Sequence, residues 1–488
     1  MTHPTSAGPA RHSARSMARA GGLHDLGVHV LLAGAFLPIA DFFIVNVALP
    51  TIQASLKATP SALELVVSVY GVAYAAMLVL GGRLGDRFGR HRLFLAGLAG
   101  FILASLACGL APSINMLIAA RLLQGATAAM LVPQVLATFQ ATLPGERKTR
   151  AIALYGATSG IAAIVGQLAG GLLVSADLFG TSWRPIFLIN IPLGVIVFFA
   201  SRLVVPANRS PHPAGIDLPG TMLFAATLTA LLVPLTEGHS LGWPAWTKAM
   251  LAAAVMLAML TAVVEKATEA RGVVPLLPPS LLSLPSMARG LAMITLFSAG
   301  FGAFMFVFAL TVQNGLNANA LQSGLAILPM AIMFFMGSAV SPRVIGRFGR
   351  GALAAGGIVQ ALGLALLIAI TLTGWPRVGL VELAPPLVLI GAGQSMLFSG
   401  LFRAVLADVP THLAGVGSGV LITLQQSGLA LGVATLGTLY LALEPTGIAQ
   451  AFATVIASQL LIIVALVLST GLLPRFTNHR VHAQPVEM

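Results

Sequence analysis

From about residue 29 to residue 473 the chain is a succession of long apolar runs, broken by short polar or glycine- and proline-rich ones. Fourteen runs stand out, near 29–50, 62–82, 93–112, 116–140, 150–174, 185–205, 218–236, 248–265, 290–312, 322–342, 351–373, 384–405, 414–440 and 450–473. Each approaches the roughly 20 residues that cross a bilayer as a helix. A backbone in hydrocarbon must satisfy its own polar groups, so runs of this length predict spanning helices and an all-α membrane protein. An even number of spans returns the chain to the side on which it began.

An internal repeat groups the spans. Arg347-Phe348-Gly349-Arg350, after the tenth run, copies Arg87-Phe88-Gly89-Arg90 after the second, with Gly346 where the first copy has Asp86. The repeat predicts two six-helix halves, 25–205 and 290–473, of the duplicated kind that secondary transporters use. Region 206–289 then holds two inserted helices and the loop Glu265–Arg289, with Pro275, Pro278, Pro279 and Pro285. Residues 1–24 carry Arg11, Arg15 and Arg19 without a small-residue cleavage pattern, and read as a cytoplasmic tail. Residues 474–488 read as a second one.

Composition changes the picture in one respect and charge in another. The chain is 57% hydrophobic and only 8% charged, with mean hydropathy +0.94. Soluble domains carry about 25% charged residues, so this apolar surface needs lipid. A net charge of +12 could suggest a nucleic-acid partner. Its distribution argues for membrane topology instead. Of the 26 Lys and Arg, only Lys57, Arg184, Lys248 and Arg377 fall on the side away from the termini, and Arg121 falls mid-membrane. The positive-inside rule then places both termini in the cytoplasm and the protein in the inner (cytoplasmic) membrane. Cys108, the single cysteine, excludes an intrachain disulfide and a cysteine-cluster metal site.

The most charged stretch is Gly82-Arg83-Leu84-Gly85-Asp86-Arg87-Phe88-Gly89-Arg90-His91-Arg92, between the second and third runs. Gly82 and Gly89 are placed to turn the backbone, and Asp86 is one acid among four arginines, an ion-pair network in prospect. Its pattern resembles the helix 2–3 loop motif of the major facilitator superfamily. Asp41-Phe42-Phe43-Ile44-Val45-Asn46-Val47-Ala48-Leu49-Pro50 resembles the first-helix signature of that superfamily's 14-helix drug:proton antiporters. Arg121-Leu122-Leu123-Gln124-Gly125 is similar to the fourth-helix R-x-x-Q-G motif. Trp183 to Gly194, Ala414 to Gly419 and Gln425-Gln426-Ser427-Gly428 resemble stretches of helices 6 and 13. The resemblance implies the major facilitator fold, proton-coupled export and a conformational switch at Gly82, Leu84, Asp86, Arg87, Gly89 and Arg90. In that switch Asp86 would cap the positive end of helix 13 near Ala414–Gly415. The fifth run departs from the family's G-P-x-x-G-G antiporter motif: it reads Gly166-Gln167-Leu168-Ala169-Gly170-Gly171, with Gln167 in the place of proline. With Gly156 and Gly160 these glycines still leave a smooth face for close helix packing.

Charges inside the apolar runs are the candidate chemistry. A carboxylate at mid-membrane costs about 2.5–3.5 kcal/mol on insertion scales. Asp41 is the one acid far from both faces, and a carboxyl costly to ionise is what a proton carrier needs. Arg121 is the one mid-membrane base, and the resemblance implies a part in proton transfer. Phe43, Asn46, Gln124, Asn190, Gln313 and Gln425 are candidate linings of a substrate cavity. Glu64, Glu237 and Glu382 lie near the outer helix ends and are expected to meet water.

No G-x-x-x-x-G-K-[ST] loop for ATP occurs, and no metal or other cofactor is implied. An ion gradient remains as the energy source. A proton entering down about 100 mV and one pH unit releases about 2.3 and about 1.4 kcal/mol respectively. One intramembrane acid therefore suffices. The sequence reads as a multidrug exporter of hydrophobic small molecules rather than an enzyme. Export of one metabolite or self-made antibiotic is the alternative, and a non-transporting receptor or scaffold is the alternative of a different class. The expected partners are substrate, protons and lipid, with no nucleic acid; an outer-membrane efflux partner is left open.

Overall fold

The computed structural model describes residues 23–209, 215, 217–410 and 413–473. The tails expected at 1–24 and 474–488 therefore lie outside the described residues, apart from Leu23 and His24. Among the described residues there are fourteen helices long and apolar enough to cross a membrane, and no strand. They are α1 (Asp25–Leu56), α2 (Pro60–Phe88), α3 (Arg90–Gly109), α4 (Ile114–Thr142), α5 (Gly145–Ala176), α6 (Pro185–Val204) and α7 (Leu218–Ser240). The chain continues with α8 (Ala245–Ala270), α9 (Pro285–Gly315), α10 (Ala320–Phe348), α11 (Arg350–Gly374), α12 (Ala384–Val405), α13 (Val416–Thr446) and α14 (Ile448–Leu472).

Local chemistry sets the helix starts. Thr59 Oγ1 accepts from Ala62 N at 3.3 Å, with Pro60 in the first turn of α2 where a missing N–H costs nothing. Ser113 caps α4 in the same way, and Asn319 with Gln322 forms a reciprocal capping box at α10. The helices overrun the apolar runs by a turn or more at several ends, because polar residues there prolong the helix beyond the hydrocarbon.

One correction concerns the charged stretch. Gly82 turns nothing: residues 82–88 continue α2, and the chain bends only at Gly89. Gly89 has φ +106, a conformation open to glycine at little cost. The repeat is structural as well, since Gly349, between α10 and α11, also has positive φ (+56).

The inserted pair packs on the outside of the seam between the halves. Phe224, Leu228 and Leu232 of α7 form a small core with Val72 and Ala75 of α2 and Ala430 and Ala434 of α13. α8 is the helix most turned away from protein, with 17% of its apolar window buried.

The halves are joined at the end away from the termini. There Gln313 Nε2 donates to Val47 O (3.0 Å), Leu321 N to Ser175 Oγ (3.1 Å), and Thr438 Oγ1 lies 2.9 Å from Glu64 Oε2. Towards the termini α5 and α10 part. A β-carbon built on Gly171 would lie 2.6 Å from Ala320 O, one on Gly160 3.5 Å from the Phe335 ring, and one on Gly156 would have no neighbour within 4 Å.

Candidate functional site

Asp41 and Arg121 come together inside the first half. Asp41 is in the middle of α1 and 1% exposed; Arg121 is in the second turn of α4 and 0% exposed. Arg121 Nη1 donates to Asp41 Oδ2 at 2.5 Å and to Gln124 Oε1 at 2.8 Å. Gln124 Nε2 donates to Asp41 Oδ1 at 3.0 Å, and Asn190 Nδ2, at the first full turn of α6, donates to the same oxygen at 2.7 Å. One turn separates Arg121 from Gln124, so a single face of α4 presents both to α1.

Three further groups complete the cluster. Ser105 Oγ of α3 accepts from Gln124 Nε2 at 2.8 Å. Arg121 Nε donates to Val66 O of α2 at 3.0 Å, and the guanidinium lies 4.2 Å from the centre of the Tyr70 ring. Tyr70 in turn donates to Pro38 O at 3.0 Å, one turn before Asp41. Arg121 Nη2 is buried without a hydrogen-bond partner. Sequence reasoning missed Ser105 and Tyr70; the only signal was a polar atom in an apolar run, which many harmless residues share.

The arrangement is a dry ion pair with a ring of fixed dipoles. Several kcal/mol of desolvation are offset only by good geometry and by hydrogen bonds to the remaining lone pairs, and both are present here. Five helices, α1, α2, α3, α4 and α6, contribute a contact. Any change of charge on Asp41 thus bears on five of the six helices of this half.

The other candidates fall elsewhere. Asn46 does not reach Asp41: Nδ2 points back to Phe42 O and Phe43 O at 3.4 Å, and Oδ1 is buried without a partner. Phe43 meets Phe301 of α9 across the seam, ring centres 6.0 Å apart. Gln313 holds Val47 O at the joined end, and half-buried Gln425 lies on α13. Of the six cavity candidates, Gln124 and Asn190 belong to the ion-pair cluster, Phe43 and Gln313 lie at the seam, Asn46 bonds within α1, and Gln425 is half-buried on α13.

In the switch stretch, Arg90 Nε and Nη2 both donate to Asp86 Oδ1, at 2.9 and 2.7 Å. Residues 411 and 412 and the side chains at 414 and 415 lie outside the described residues, and with them the expected helix-13 contact of Asp86. Arg87 is exposed, 5.8 Å from the Phe88 ring centre, and Leu84 is half-buried. Arg83 is the buried arginine of the four. It donates to Gly215 O (3.1 Å) and Pro275 O (2.6 Å), tying α2 to both ends of the inserted pair. Asp217 and Glu265, both buried, take Leu276 N and Leu277 N beside it.

The glycine edge of α5 has two faces. A β-carbon on Gly166 would sit 2.5 Å from Ala40 O, and one on Gly170 2.7 Å from Ile44 O, so this face lies directly on the α1 backbone beside Asp41. Gly171 and the Gln167 backbone lie against Ala320 and Gly324 of α10, in the other half.

Residues 31–433 match the sequence family described as the Major Facilitator Superfamily. A probable actinorhodin transporter of Streptomyces coelicolor is 36% identical over 446 residues, 90% of this chain and 75% of the relative. The cephamycin export protein CmcT of Amycolatopsis lactamdurans is 36% identical over 83% of this chain and 82% of its own. The multidrug resistance protein Stp of Mycobacterium tuberculosis is 33% identical over 83% and 74%. Among solved structures, a POT peptide transporter in complex with sulfate superposes with TM-score 0.69 at 16% identity, covering 94% of this chain and 99% of that one. At that identity the likeness is one of fold.

Proposed function

Because this chain belongs to the Major Facilitator Superfamily and is a multi-pass membrane transporter, we propose that it exports hydrophobic small molecules from the cytoplasm in exchange for protons. The relatives named for antibiotic export and multidrug resistance support the cargo class. The observation that carries the coupling is the buried Asp41–Arg121 pair. Protonation of Asp41 removes the charge that compensates Arg121 and weakens three charge-assisted contacts at once. The helices around the pair must then settle differently. The glycine face of α5 lies on the Asp41 turn of α1 on one side and on α10 on the other, so that resettling reaches the seam between the halves.

The halves then rock about the centre, exposing the interface to one side at a time. In this reading the parted end faces the cytoplasm, as the Lys/Arg asymmetry supports. Asp86 holds Arg90 here and takes up the helix-13 contact when the cytoplasmic end closes. The protein resides in the cytoplasmic membrane with both termini inside; it acts on small apolar substrates and protons, with no nucleic-acid partner.

Two measurements test this. In proteoliposomes with an imposed pH gradient, the wild type should move substrate uphill and Asp41→Asn should only equilibrate it. In an efflux-deficient host, expression should raise tolerance to several unrelated hydrophobic toxins. Substrate flux that never responds to pH in the wild type would overturn the coupling, and tolerance to no tested compound would overturn the cargo class.

A further inference from the structure

Glu64 does not meet water. It lies in the first turns of α2, at the joined end of the molecule, and is 0% exposed. The reason is tertiary: residues far along the chain cover it. Thr438 of α13 stands 2.9 Å from its Oε2, and Oε1 faces Gly437, where a β-carbon would lie 3.3 Å away, and has no hydrogen-bond partner. Among the described residues no Lys, Arg or His forms an ion pair with Glu64.

The charged and titratable groups on the helices packed against α2 do not help. On α1, Asp41 and Asp25 are acids, and Lys57 just beyond is exposed. On α4, Arg121 is committed to Asp41, Gln124 and Val66 O. On α3, Arg90, His91 and Arg92 lie at the opposite end of the molecule. On α7, Glu237 is a further acid near Glu64, and His239 is exposed. On α13 the first charged residue is Glu444, again an acid. A bare carboxylate buried near a further acid, with no cation paired to it, is a costly arrangement.

The hydrogen bonds around Glu64 favour the protonated acid. Thr438 Oγ1 has three oxygens in reach: Glu64 Oε2 at 2.9 Å, Ala434 O at 2.9 Å and Leu235 O at 3.2 Å. A threonine hydroxyl has one proton to donate. If Glu64 is ionised, the one threonine proton serves Oε2 and the charged Oε1 stays buried with no donor. If Glu64 carries a proton, its O–H donates to Thr438 Oγ1, and the threonine hydroxyl donates to a main-chain carbonyl. The backbone at Val433–Gly437 is a π-helical turn, a widening that recurs at functional positions, and it brings Gly437 against the acid.

We propose that Glu64 is a second proton-binding site, placed at the seam between the halves. The neutral acid clasps α2, α13 and α7 together and keeps the outer face shut. When the face opens, the carboxyl meets water and ionises, and it must take a proton from the outer aqueous phase before the seam can close again. The inference rests on the two halves rocking, as proposed above, but not on Asp41 carrying a proton.

The test uses the full-length protein in nanodiscs, with Ala320→Cys as reporter. Ala320 is buried against Gly171 at the same seam, and Cys108, fully buried, stays in place. A membrane-impermeant maleimide should label Ala320→Cys faster as the pH rises, each rate being divided by that of a free thiol at the same pH to remove the growth of the thiolate. Glu64→Gln, locked in the neutral form, should lose that response, and Glu64→Asp should keep it. Infrared difference spectroscopy should show a carboxylic-acid carbonyl band in the sealed protein that Glu64→Gln removes and Thr438→Val shifts. Both measurements are repeated on Asp41→Asn: responses that persist there, without uphill transport, assign them to Glu64 alone. Labelling that follows pH equally in Glu64→Gln, or a spectrum whose acid bands ignore both substitutions, overturns the proposal. If Glu64→Gln fails to fold, the Thr438→Val spectrum decides alone.

Discussion

Replacing Asp41 by Asn is expected to do more than mimic a protonated acid. The carboxylate accepts from Arg121 on one oxygen and from Gln124 and Asn190 on the other. An asparagine offers one acceptor, so its amide nitrogen must face either the guanidinium or the two amide donors. In both orientations Arg121 stays in the interior without a counter-charge. With charge centres about 4 Å apart and an effective dielectric of about 20, the lost attraction is about 4 kcal/mol. That agrees with the roughly 3–5 kcal/mol that breaking one partner of a buried pair costs. Arg121→Gln should cost a similar amount, because it strands the carboxylate. The double variant Asp41→Asn/Arg121→Gln removes both charges and should be more stable than the sum of the single losses implies, by roughly 3 kcal/mol or more. The assay is equilibrium unfolding in mixed micelles for the wild type, both single variants and the double variant. Uphill transport in proteoliposomes is read alongside and should be lost in all three. Losses that add to within about 0.5 kcal/mol would refute the dry ion pair, since independent sites add and coupled ones do not.

Three further outcomes follow from the geometry. Gly166→Leu should overpack the α1 turn at Ala40, cost about 1–3 kcal/mol and abolish accumulation, whereas Gly156→Ala, with open space around it, should leave flux unchanged; thermal stability and transport rates check both. Asp86→Asn should cut transport sharply while substrate binding and yield stay near wild type; measured flux equal to the wild type would remove the switch. Arg83→Gln frees the carbonyls of Gly215 and Pro275, so limited proteolysis should cleave the 271–278 linker faster, and an unchanged cleavage pattern would show that the inserted pair is held by its apolar contacts alone.

The spans were legible because hydrophobic length is a strong signal, and the seam was hinted at by the repeat. Asp41, Arg121, Gln124 and Asn190 each showed themselves as polar residues in apolar runs. What the sequence did not show was which of them meet. Asn46 is five residues from Asp41 but bonds to its own helix, while Asn190 arrives from 149 residues away. Glu64 was misread for the same reason: its place near a helix end suggested water, and only the fold brings Thr438 over it. Gly82 looked like a hinge, yet helix propagation from α2 runs through it, since a glycine permits a bend without requiring one.

The ion pair draws all its contacts from one half and none from the interface between halves. Cargo meeting the protein at that interface, as proposed above, touches neither Asp41 nor Arg121; of the proposed proton sites only Glu64 lies at the seam. A gene lineage can therefore revise which toxins are accepted, one interface side chain at a time, without disturbing the machinery that drives expulsion. Substitutions selected by a new antibiotic should accumulate on α9, α10, α12 and α13 and on the seam face of α1, while α3, α4 and the start of α6 stay fixed around Ser105, Arg121, Gln124 and Asn190.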